Sequence, residues 1–97
     1  MEINELEGIT RNAFGKGFDV KSPEGIYLEI WDIPSNTMIA MASLTPGMPH
    51  DVFIKRVHSD KQRRETEVHE GIRRLAMQYE AYGLRVMGAS AGSYGAH

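Results

Sequence analysis

Hydrophobic positions in this chain follow a helical period in two places and a strand period between them. Ile3, Leu6, Ile9, Ala13 and Phe14 share one arc of a helical wheel, which predicts a short helix over residues 2–14 with Gly8 as its weak point. Phe18 and Val20 then alternate with polar residues, Ser22-Pro23-Glu24-Gly25 suits a type I turn, and Ile26 to Ile33 has the richest strand composition in the chain. Pro34-Ser35-Asn36-Thr37 predicts another turn and Met38 to Leu44 another strand. Thr45-Pro46-Gly47-Met48-Pro49-His50, with two prolines, reads as a longer, stiffer loop leading into a strand over 52–57.

The stretch from Val52 to Met87 organises the rest. Ser59 and Gln62 have the spacing of a capping box, and Val68, Ile72, Leu75, Tyr79 and Tyr82 recur at steps of four, three, four and three, which places one apolar stripe on a long helix. Glu70 and Arg74 add an i,i+4 pair on its polar side. Gly71 costs about 1 kcal/mol against alanine inside a helix, which points to close approach by another backbone or to simple tolerance. Gly83 stands where a left-handed residue ends a helix, with Leu84 placed to pack back on Tyr79. Leu84 to Met87 suits a buried strand, and strand, crossover helix and strand pair in parallel. The predicted fold is therefore α+β, of α/β-sandwich type: a helix, an antiparallel meander of three to four strands, a long helix, and a final strand parallel to the third. Residues 1–97 read as one domain, and 88–97, rich in glycine, alanine and serine, as a flexible tail.

Composition narrows the chemistry. With no cysteine among its 97 residues, the chain has no disulfide, thiolate metal site or thiol nucleophile. Its first residues lack the pattern of a signal peptide and no apolar run approaches the ~20 residues of a membrane span, so the expected location is cytoplasmic and no membrane partner is expected. Net charge is −2 but uneven: residues 1–51 hold three Lys/Arg and eight Asp/Glu, residues 52–97 eight and five, so the halves carry −5 and +3. Gly15-Lys16-Gly17 is too short for a phosphate cradle. His58, His69 and Glu70 lack the spacing of a zinc site, and no metal is expected.

The run from Val57 through the long helix to Gly83 and Leu84, following three antiparallel strands and leading to a parallel one, resembles the core of the GNAT acyltransferase family over about half the chain. The resemblance implies acetyl-CoA as cofactor, with Val57, Gln62, Arg63 and Arg64 where that family binds the pyrophosphate on backbone amides at a helix start. Glu65 and Glu67, however, stand where the family has small residues, so two carboxylates would meet the phosphates. The order of elements also resembles a double-stranded-RNA-binding domain, without that domain's lysine-rich helix start.

Two features bear on binding. Ile26, Leu28 and Ile30 fall on one side of their strand and Tyr27, Trp31 and Ile33 on the other, with Glu29 the exception, so both sheet faces carry apolar bulk. Either both helices pack on the Leu28 side and leave the aromatic groups as a contact surface, or the N-terminal helix covers them. Lys55, Arg56, His58, Lys61, Arg63 and Arg64 gather positive charge near the strand-to-helix junction, interleaved with Asp60, Glu65 and Glu67, which disfavours nucleic acid. The adopted reading is a small non-catalytic interaction protein, in the manner of an inhibitor, that binds a protein or nucleoprotein partner or a second copy of itself through Tyr27, Trp31, Lys55, Arg56, Lys61, Arg63 and Arg64. It has no catalytic residue and no cofactor. A shortened acyl-CoA-dependent N-acetyltransferase is the alternative.

Overall fold

The computed structural model describes residues 1–58 and 64–88. Along the chain lie α1 (Ile3–Ala13), β1 (Phe18–Lys21), β2 (Tyr27–Asp32), β3 (Thr37–Thr45), β4 (Met48–Arg56), α2 (Glu65–Ala81) and β5 (Arg85–Met87). The strands form one sheet in the order β1-β2-β3-β4-β5, antiparallel throughout except that β5 runs parallel to β4. The α+β class and the parallel last strand agree with the pattern read from the sequence.

Both helices lie on one face of this sheet. Leu6 and Ile9 of α1 and Val68, Ile72, Leu75 and Tyr79 of α2 form a single core with Leu28, Ile30, Ala40, Ala42, Val52 and Ile54 of the strands. The molecule is only 19 Å in its shortest dimension, room for one sheet and one helix layer at about 10 Å each and not for a third layer. Thr10 and Tyr79, both fully buried, join the helices through a 2.6 Å hydroxyl–hydroxyl hydrogen bond, and Thr10 Oγ1 also donates to the Leu6 carbonyl. Burial raises the Tyr79 hydroxyl well above the ordinary phenol range, so it stays protonated. Gly71 has a reason, though not the backbone contact its helical position suggested: a Cβ there would stand 2.3 Å from Cε1 of the Phe14 ring, which fills the notch.

Local departures from the expected pattern have local causes. Ile39 and Ala40 are consecutive and both fully buried, because β3 bulges: Ile30 pairs with Ala40 but Trp31 pairs with Met38, leaving Ile39 as the extra residue. Residues 45–50 do not form a long loop. Pro46 and Gly47, the latter at φ +76°, make the tight turn that proline followed by glycine favours, and Thr45 pairs directly with Met48. Ile26 and Ile33 lie just outside β2 at 68% and 57% exposure, in the flanking turns. Tyr82, at the end of the predicted stripe, is exposed.

α2 begins at Glu65, with Arg64 at its N-cap and no side-chain cap. The capping-box pair Ser59 and Gln62 falls in 59–63, outside the described residues, and so do residues 89–97 of the expected tail. Gly88, first residue of that segment, sits at φ +118° with no room for a Cβ against the Ile54 carbonyl. The C-terminus of α2 closes as predicted: the Leu84 N–H donates to the Tyr79 carbonyl at 3.0 Å and the Gly83 N–H to Glu80 at 2.9 Å, with Gly83 at φ +84°. Glu70 lies 3.9 Å from Arg73 rather than pairing with Arg74, whose Nε donates to the Ala13 carbonyl at the end of α1. No helix among the described residues is long and apolar enough to cross a membrane.

Candidate functional site: the open face of the sheet

Strand residues directly opposite one another share a face, so the register maps the side of the sheet that neither α1 nor α2 covers. One row across it runs Asp19, Trp31, Met38; the next runs Lys21, Glu29, Met41, Lys55; a third runs Tyr27, Ser43, Phe53, Met87; and at one corner Asp51 pairs with Arg85. Phe53 and Met87 are 43% and 40% exposed, and Tyr27, Trp31 and Met41 are half-buried.

The aromatic groups are held in place by the residue between them. Glu29 accepts the Trp31 Nε1–H on Oε1 at 3.1 Å and the Tyr27 hydroxyl on Oε2 at 3.3 Å, so one carboxylate fixes both heads. Lys21 caps the outer side of Trp31 with Nζ 4.4 Å from the ring centroid. Partial desolvation raises the Tyr27 hydroxyl above its ordinary value, and the negative charges of Glu29 and Glu24 push it the same way. At the corner, Arg85 grips Asp51 with two parallel bonds, Nε to Oδ1 at 3.1 Å and Nη2 to Oδ2 at 2.7 Å.

Of the residues marked by sequence as interaction groups, Tyr27, Trp31 and Lys55 meet on this face. Arg56 points the other way, its register partner being the buried Ala40. Arg64 is engaged elsewhere. It pairs with Asp32, whose side chain is 4% exposed, and its Nε donates to Oδ1 at 3.1 Å. The same guanidinium reaches Glu67 at 2.9 Å and the Gly17 carbonyl at 3.1 Å and lies 4.3 Å over the Phe18 ring. Burial alone would raise the Asp32 pKa, but hydrogen bonds from Ser35 and Arg64 outweigh it and hold the carboxyl below its ordinary value. Arg64 thus fastens the start of α2 to the far end of β2. Lys61, Gln62 and Arg63 lie outside the described residues. Val57, also marked for the cofactor, ends β4 by donating its N–H to the Ile39 carbonyl at 2.9 Å.

Beside the first turns of α2 a cleft of about 310 Å³ opens, lined by Gly15, Lys16, Phe18, Thr66, Glu67, Glu70 and Arg74. Two carboxylates, Glu67 and Glu70, and two cations, Lys16 and Arg74, line it. Among the described residues no three His, Asp or Glu side chains are grouped to hold a metal ion. No protein-family model, no curated protein and no solved structure matches the chain.

Sequence reasoning singled out the aromatic pair and missed Glu29, Lys21, Phe53 and Met87. Glu29 interrupted an apolar alternation, Phe53 lay inside a run read only as a strand, and Met87 lay inside one read as a buried strand. The signal that finds them is register: counting outward from Tyr27 across the sheet reaches Phe53 and Met87 in the same row.

Proposed function

We propose that this chain is a non-catalytic interaction protein that docks a protein partner on the open face of its sheet. The observation that carries the reading is the fixed aromatic pair, Tyr27 and Trp31 braced on Glu29, beside the exposed Phe53 and Met87. Aromatic anchors held in one rotamer lose little entropy on binding and dominate interface energies. Lys21, Lys55 and Arg85 are balanced on this face by Asp19, Glu29 and Asp51, a neutral rim that favours protein over nucleic acid. Occupying such a face masks whatever surface the partner presents, which is how so small a protein would inhibit.

The test is Trp31→Ala, followed by light scattering and chemical denaturation together. Association should be lost while stability falls by about 1 kcal/mol, since the ring fills no core cavity. A loss of about 3–5 kcal/mol, the size expected for a buried aromatic, would reject the reading.

A further inference from the structure

The rows of the open face have a symmetry of their own. β3 is the middle strand, and rotating the sheet by half a turn about an axis along β3 lays β2 over β4 while keeping each row in place. Glu29 and Lys55 occupy the same row on either side of β3, so in two copies related by that rotation each Glu29 stands opposite the other copy's Lys55. Tyr27 and Phe53 likewise share a row on either side of Ser43, so each Tyr27 ring meets the other copy's Phe53 ring. Met41 and Ser43 lie on the axis and meet their own counterparts, a thioether on a thioether and a hydroxyl on a hydroxyl. Six cross-copy contacts of four kinds arise from a single operation.

We propose that the occupant of the open face is a second copy of this chain, stacked face to face about a two-fold axis that runs along β3 over Met41 and Ser43. This rests on the reading of the face as a docking surface and names its partner. The face carries three cations and three anions, so a stacked pair meets no net repulsion. Stacked sheets cross at about 30°, which each copy supplies by tilting ~15° about the perpendicular to the sheet; this offsets the Glu29 and Lys55 backbones by only ~2.5 Å, within reach of both side chains. The eleven positions of the three rows, with strands about 4.8 Å and rows about 6.8 Å apart, cover roughly 360 Å² in flat projection, so two copies bury about 700 Å², the size of a weak, transient contact. The dimer is accordingly expected to be reversible.

The experiment exchanges charges across the axis. Sedimentation equilibrium of the full chain should show a monomer–dimer equilibrium. Lys55→Glu opposes two carboxylates in the homodimer and Glu29→Lys opposes two ammonium groups, so each should weaken self-association at least ~100-fold. Mixed in equal amounts, the two variants restore both ion pairs and should associate within a few-fold of the native chain. Circular dichroism and melting of each variant show that it is folded. In a dimer mixed from ¹⁴N and ¹⁵N native chains, a carbodiimide should join Lys55 of one isotope to Glu29 of the other, a readout that needs no variant. A native chain that stays monomeric at several hundred micromolar overturns the pairing, and so does a dimer indifferent to Lys55→Glu or one without the 29–55 cross-link. If that chain is monomeric and Trp31→Ala shows only the small stability loss expected of a ring outside the core, the pairing fails and the docking surface stands. A core-sized loss in Trp31→Ala removes both.

Discussion

The two faces of this sheet are built from the same strands and obey different rules. On the covered face, Leu28, Ile30, Ala42, Val52 and Ile54 are aliphatic or small and essentially without exposure. Their identity is fixed by volume and by the removal of apolar area from water. On the open face, one residue away each time, stand Tyr27, Glu29, Trp31, Phe53 and Lys55, which are large, and the first three are joined by directional bonds. The covered face carries stability. The open face is held in a defined arrangement without contributing a core.

The sharpest way to break this contrast is to compare neighbours. Ile30→Ala removes a fully buried side chain and should cost about 3–4 kcal/mol by urea denaturation, several times the effect expected of Trp31→Ala next to it. Equal losses would mean that the faces do not differ in kind. Next comes the Arg64–Asp32 pair at the covered edge. The Asp32 carboxyl is held below its ordinary pKa of 3.8, so its contribution is complete above that value and is lost as pH falls through the lower folded value. Stability measured from pH 5 to pH 2 should therefore fall, and Asp32→Asn should flatten the acid part of the curve while lowering the plateau near pH 7 by about 2 kcal/mol, because a partly buried Arg64 loses the more buried of its two carboxylate partners and keeps Glu67.

Gly71→Ala tests the helix layer. Propensity alone would favour alanine by about 1 kcal/mol, yet the Cβ would strike the Phe14 ring, so a net loss of about 1–2 kcal/mol is expected, recovered in part by adding Phe14→Leu. A stabilised single variant would show that the ring moves aside freely. The smallest expected effect is none: acetyl-CoA titrated to millimolar concentration should give no binding heat, since Glu65 and Glu67 crowd the first turn of α2 with negative charge. Micromolar binding would move the functional site from the sheet face to the helix start.

Much of the architecture was legible because it is written in short-range pattern. The α2 stripe, the glycine ending and the alternation of β2 need only neighbours within a few residues. Pairs far apart in sequence were not legible. Arg64 was read as part of a basic ridge because its partner Asp32 lies 32 residues away, and Thr10 gave no sign of reaching Tyr79 across 69. Two prolines in residues 45–50 suggested a stiff loop, and the order proline then glycine, which specifies a tight turn, was the better guide. For the candidate site, alternation exposed Tyr27 and Trp31, whereas Phe53 and Met87 join them only once register is known.

The order of strands also bears on how the chain assembles. β1 to β4 are sequential neighbours joined by turns of two to five residues, whereas β5 reaches β4 only after the 28 residues between Arg56 and Arg85. Closing the longer span costs about 1–2 kcal/mol more in chain entropy than closing a hairpin. By that difference the meander is expected to form early and the crossover late, with β5 the strand expected to open first, which hydrogen exchange of the β5 amides would check. The two-pronged grip of Arg85 on Asp51 stands at that last-closed seam, where it acts as a latch on the strand with the least to hold it.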